Sequence, residues 1–273
     1  MSVKHHLLRR FCIFSIILSM IFVLIVSSSV FIDACNKELV HGWLETWEPF
    51  VLGTPTNASG LDMEILAAVV SGAGCTLKHT DNEIPWMRRL KWIEEGKLDL
   101  VSGASLTEER AKYAYFIGPY RAEYLALFVK KSNTVKYKIS SFSDIEDMDF
   151  KIGTELGATY GPMVDSVLKK IGNRAEPIHN SNANRKKVLA GRLDGYLSYL
   201  PDEPIALKQL GTDIEMHPMP LINTGDIYIM LSKKANSNEI RNALQDSLDK
   251  MKTDDTLNII FKKYSEKYGV AKW

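Results

Sequence analysis

Signatures for metal and nucleotide chemistry are missing from this 273-residue chain. It has no H-E-x-x-H, no G-x-x-x-x-G-K, no C-x-x-C and no G-x-S-x-G. Zinc hydrolysis, phosphate-loop binding, thiol exchange and nucleophile-elbow hydrolysis therefore lose their usual sequence support. Charge of one sign is lacking too: 34 Lys and Arg face 33 Asp and Glu, for a net charge of +1. That leaves no basic footprint for nucleic acid. The 6 histidines are scattered, and His41, His79, His179 and His217 read as surface or strand residues, so neither a metal nor a cofactor is expected. Cysteine is scarce as well, with only 3 in the chain.

What is present begins with a leader. Lys4, Arg9 and Arg10 precede an apolar run from Phe11 to Val26, followed by Ser27, Ser28 and Ser29. A basic start, an apolar core and a small polar end read as a secretory signal peptide over residues 1–34, cleaved after Ala34. Two other readings stay open: a lipidated Cys35, or retention as an anchor, since residues 11–32 are long enough to span a bilayer. All three place the mature chain outside the cytoplasm, in the periplasm or tethered to its membrane. Cys35 lies just before the first expected strand and Cys75 opens the second. Neighbouring parallel strands begin at the same end of a sheet, and an oxidising compartment favours pairing, so a Cys35–Cys75 disulfide is expected. The alternative is a lipidated Cys35 with a buried Cys75.

The most informative stretch is Leu98 to Tyr120. Leu98, Leu100 and Val101 read as a buried strand that empties near Gly103 into a polar turn. Thr107 is a candidate N-cap with Glu108 and Glu109 in the first turn, which brings free N–H groups and the Arg110 guanidinium to the end of the strand. Such a point suits a carboxylate; the competing reading is an ordinary solvated helix arginine. Before this stretch, Leu39–Leu44 reads as a strand with Trp47 in the loop after it, where it either lines a site or covers the core. A helix opened by Gly60-Leu61-Asp62 carries Ile65, Leu66, Val69 and Val70 on one face. Cys75–His79 is a strand, and a helix from Pro85-Trp86 to Gly96 carries Leu90 and Ile93, with Arg88 and Arg89 read as solvated charges. Beyond it come strands at Tyr124–Lys131, Lys151–Thr154, Leu193–Leu197 and Asp226–Ser232. The segment from Lys138 to Asp149 is rich in turns, and two apolar-periodic helices close the chain.

The run S-x-x-S-L-T-x-x-R from Ser102 to Arg110, with Phe116 and Gly118-Pro119-Tyr120 after it, resembles the type 2 periplasmic solute-binding proteins of family 3. These are the amino-acid-binding components of ABC importers and their relatives. The resemblance implies an α/β, two-lobed periplasmic binding protein fold with crossover hinge strands. It places residues 35–128 and 227–273 in the first lobe and 129–226 in the second. It implies a monomer that closes on a small carboxylated solute and hands it to an ABC permease or a sensor. Arg110 becomes the carboxylate clamp, helped by Ser105 and Thr107. Trp47 and Trp86 become walls of the site, Arg88 a further cation at the cleft, Thr159 a contact from the opposite loop, and Asp62 an organiser of the first helix.

One departure bears on the ligand. Five residues after the position matched by Asp194, family members carry an aspartate that grips an α-ammonium; here stands Tyr199. Without that carboxylate a buried ammonium loses its complement. Either the solute lacks a free α-amine, or Asp202 or Glu203 substitutes. An enzyme on the same scaffold is the alternative, since some relatives are cyclohexadienyl dehydratases; Glu155 and Asp202 are its candidate acids or bases. A structural envelope protein with a closed cleft is a third reading. The expectation is a binding protein rather than an enzyme.

Overall fold

The computed structural model describes residues 35–179 and 181–270. The leader, lipid and anchor readings of residues 1–34 fall outside that range. No helix among the described residues is long and apolar enough to cross a membrane.

The chain opens with β1 (Glu38–His41), a small hairpin of β2 (Leu52–Thr54) and β3 (Asn57–Ser59), and helix α1 (Leu61–Gly72). Next come β4 (Thr76–His79), α2 (Trp86–Glu95), β5 (Leu100–Ser105), the short α3 (Glu108–Tyr113) and the 17-residue β6 (Ala114–Lys130). After α4 (Lys131–Lys136) and a 3-10 turn at Phe142–Asp147 follow β7 (Ile152–Glu155), α5 (Pro162–Ile171), β8 (Ala175–Ile178), α6 (Ser181–Leu189), β9 (Gly195–Leu200) and α7 (Asp202–Leu210). The chain ends with β10 (Ile214–Met216), β11 (Ile222–Ser232), α8 (Asn238–Thr253) and α9 (Thr256–Tyr268).

Nine strands form one mixed sheet in the order β4-β1-β5-β11-β6-β9-β7-β8, with β10 on β6. β1 runs parallel to β4 and β5, and β7 runs parallel to β8 and β9. The crossover strands β6 and β11 run antiparallel between these two parallel groups. One apolar core gathers Leu39, Leu66, Ile117, Ile229 and Leu248; a second gathers Leu127, Phe142, Ile152, Val164 and Leu197. Both parallel groups place the carboxyl ends of their strands where a crevice forms, the usual position of a ligand in an open α/β sheet.

Several expectations shift here. The first strand ends at His41 instead of Leu44, because the Trp43 N–H leaves the ladder for the Thr80 hydroxyl at 3.0 Å while Trp43 and Leu44 turn into the core. The strand expected from Tyr124 begins at Ala114. Gly118-Pro119 falls inside β6, where the ladder with β11 shifts register opposite it, between Ile227 and Ile229. An irregularity of that kind is where a strand tolerates a proline. The Gly118 N–H is satisfied off the ladder, donating to Gln245 Oε1 at 3.0 Å. Strands β8 and β10, the β2–β3 hairpin and helix α7 are elements that the sequence reading left unassigned.

Candidate functional site

A cavity of about 820 Å³ lies between the loops that leave the two parallel strand groups. Of the candidate residues, Trp47, Trp86, Ser105, Arg110, Thr159 and Tyr199 line it.

Arg110 is 7 % exposed, which rules out an ordinary solvated arginine. The chain positions it through its own N-cap: the Thr107 hydroxyl accepts the Arg110 backbone N–H at 3.2 Å. Thr107 therefore uses its hydroxyl as acceptor at the helix start and is not among the residues lining the cavity. Arg110 Nη1 donates to the Ser105 carbonyl at 2.9 Å, and Nη2 donates to the Gly157 carbonyl at 3.2 Å. Neither partner is a carboxylate. Burial draws the guanidinium below its usual range, and it stays a cation at neutral pH.

Trp86 forms the wall beside Arg110. Its indole Nε1–H also donates to the Gly157 carbonyl, at 3.2 Å, and the Arg110 Cζ sits 5.2 Å from the ring centroid. Trp47 meets Tyr199 edge-on at 5.9 Å between centroids. The Thr159 hydroxyl donates to Asp165 Oδ2 at 2.7 Å, so Thr159 lines the cavity with its hydroxyl already engaged. Asp62 lies outside the lining. Buried at the start of α1, it accepts from Tyr120 Oη, Arg121 Nε and Arg121 Nη2 at 2.9, 2.9 and 3.1 Å. Asp62 thus ties the first helix to the crossover strand.

Carboxyl groups occupy the other side. Burial, helped by the charges of Glu123 and Glu45, pushes Glu155 up to about 7 against the opposing pull of Arg89. Burial and the adjacent Glu203 push Asp202 up to about 8. Glu203 itself is committed elsewhere: it accepts from Arg185 Nε at 2.6 Å and Nη2 at 3.1 Å, and from the Tyr196 hydroxyl. Of the two suggested substitutes for the missing aspartate, only Asp202 therefore lines the cavity.

The arginines of α2 exchange the roles expected of them. Arg88 is exposed on the rim, while Arg89, read as a solvated charge, is buried with its Cζ 4.9 Å from the Trp86 centroid. Glu123 and Arg185 also line the cavity and went unnoticed in the sequence, because β6 was expected to start after Glu123 and nothing local marks Arg185. Cys35 and Cys75 are disulfide-bonded, with 4.9 Å between their Cα atoms. Among the described residues no group of three His, Cys, Asp or Glu side chains is placed to hold a metal ion.

The family described as bacterial extracellular solute-binding proteins, family 3, matches residues 39–267. Solved structures share the fold. An ancestral arginine-binding protein bound to arginine is 24% identical, with a TM-score of 0.70, covering 83% of this chain and 97% of its own. A histidine kinase sensor domain with similarity to periplasmic binding proteins is 14% identical, with a TM-score of 0.70 and coverage of 84% and 96%. An ancestral amino acid-binding protein described as a precursor of cyclohexadienyl dehydratase is 22% identical, with a TM-score of 0.65 and coverage of 85% and 95%. No curated protein matches the chain in sequence.

Proposed function

Because the chain belongs to the bacterial extracellular solute-binding proteins of family 3, we propose that it is an exported monomer that closes on a small carboxylated solute and presents it for ABC import. The lobes are residues 35–128 with 227–273, and residues 129–226. The observation that carries this reading is Arg110, a buried cation in the cavity wall whose side-chain hydrogen bonds, among the described residues, go only to the carbonyls of Ser105 and Gly157. A solute carboxylate would supply the charge-assisted pairing it lacks. Trp47, Trp86 and Tyr199 give the aromatic surfaces against which the rest of a small solute packs, while Ser105 and Thr159 frame the ends. The disulfide supports export, since such bonds persist in oxidising compartments. The structural likeness to a sensor domain makes a signalling partner the alternative to a permease.

A thermal-shift screen of the mature protein against amino acids, dicarboxylates and aromatic acids tests the reading, with Arg110→Ala alongside. A ligand at about 100 times its Kd stabilises by roughly 2.7 kcal/mol. A carboxylate that shifts wild type and not the variant supports the proposal; a folded protein that no carboxylate shifts refutes it.

Glu155 favours one second reading, a dehydratase-like enzyme. Its carboxyl lines the cavity and is pushed up to about 7, near the value that suits proton transfer at neutral pH. Turnover of a cyclohexadienyl carboxylate, abolished by Glu155→Gln, would establish it.

A further inference from the structure

Among the described residues, Arg121 and the part-buried Arg185 pair with carboxylates, and Arg110 has two carbonyls. Arg121 gives Nε and Nη2 to Asp62 and Nη1 to Glu123, and Arg185 gives Nε and Nη2 to Glu203. Arg89 differs. It is 6 % exposed and lines the cavity, yet its Nε and Nη1 are buried without a hydrogen-bond partner. Glu155 and Glu45 are near enough to act on it electrostatically, but neither forms a hydrogen bond with it. Burial draws the guanidinium down to about 10, leaving it charged at neutral pH. An unpaired buried cation is costly, and one in a cavity wall is a group waiting for an anion.

We propose that Arg89 is a second anion-binding point, so that the solute carries two acidic groups, one for Arg110 and one for Arg89. Both guanidiniums pack on the Trp86 indole, at 4.9 and 5.2 Å from its centroid. They are therefore no farther apart than those two distances together, within reach of the two ends of a short aliphatic dicarboxylate. The neighbouring acids do not forbid this. Glu45 and Glu83 stand exposed at the rim, and Glu123 is paired with Arg121. Asp202, held up at about 8, keeps its proton at neutral pH, and Glu155, held up at about 7, keeps its own below neutral pH; each can then donate to an anion. His41, fully buried near Arg89 and pushed well below its usual range by that burial, is neutral and adds no competing charge.

The proposal rests on the cleft being the solute site, and its test separates the two claims. Succinate, glutarate and glutamate are titrated against succinamate and glutamine, in which one acidic group is an amide, into wild type, Arg89→Gln, Arg89→Lys and Arg110→Ala. The expected result is tighter binding of a diacid than of its monoamide, by about tenfold or more in wild type. That ratio falls to near one in Arg89→Gln, with the monoamide still bound, and is partly kept in Arg89→Lys. Arg110→Ala loses diacid and monoamide alike. The ligand-free Arg89→Gln protein is expected to melt no lower than wild type, because no partner is orphaned; a structural arginine would behave oppositely. Equal affinity for diacid and monoamide in wild type, or an unchanged ratio in Arg89→Gln, overturns the second anchor and leaves the first standing. Binding of none of these acids overturns both.

Discussion

Arg110 and Arg121 are both buried, and they differ in what they hold. Arg121 is closed off by Asp62 and Glu123, with side-chain exposures of 1% for the arginine, 0% for Asp62 and 3% for Glu123. Removing one member of such a set strands the others. Arg121→Gln is therefore expected to cost about 3 to 5 kcal/mol of stability, read from urea unfolding, whereas Arg110→Ala costs far less stability and chiefly removes binding. Glu155 makes a pH prediction. Its carboxyl is raised from 4.5 to about 7, first by burial and then by Glu123 and Glu45, against Arg89. The folded chain then holds a proton that the unfolded chain has lost, so stability falls as pH rises through that window. Glu155→Gln should flatten the fall and raise stability at pH 8 by about 1 to 3 kcal/mol; melting temperatures across pH 4 to 9 check it. Asp202, raised from 3.8 to about 8 by burial and Glu203, adds a larger limb in the same direction, extending to higher pH. Arg110 was legible because a strand end, an N-cap and a basic residue converge in one short run. Arg89 was legible in principle: it stands three residues after Trp86 and four before the buried Ile93, on the stripe that faces inward. Reading both arginines as solvated by type, and ignoring position on the helix, hid it.

At the scale of elements, two short connections set the shape of the site. The disulfide closes a separation of 40 residues around β1, the hairpin, α1 and the entry to β4. By the loop-closure relation its loss costs about 4 kcal/mol, so Cys35→Ser is expected to lower the melting temperature markedly while leaving solute contacts in place. The loop after β7 carries Gly157, whose φ is 78° and whose carbonyl receives both Trp86 and Arg110. A Cβ there would overlap Met87 Sδ on α2. Gly157→Ala should weaken solute binding by strain in the left-handed conformation and by blocking the approach of α2. Adding Met87→Ala should recover part of the loss, as titration of the single and double variants would show. The family resemblance marked this loop through Thr159. It could not show that the loop carbonyl, rather than its N–H groups, meets the opposite wall, because that depends on contacts between segments 47 and 71 residues apart. Strand β6 was read short for the same reason, since its first half is held by pairing with β11 from the far end of the chain.

For the whole molecule, hydrophobic pattern and motif conveyed the α/β class and the crossover architecture, while solute identity depends on side chains from both strand groups meeting across the cavity. Trp47 against Tyr199, and Arg110 and Trp86 on the Gly157 carbonyl, are contacts across that cavity. On the proposed reading, the cleft opens and closes by small rotations along the crossover strands. Small-angle scattering of the mature protein, with and without the carboxylate that stabilises it, tests the central claim most directly when run on wild type and Arg110→Ala together. The account predicts that wild type contracts on adding solute, with a smaller radius of gyration, and that the variant does not. Contraction of the variant to the same extent, or stabilisation of wild type with no change in dimensions, would contradict it.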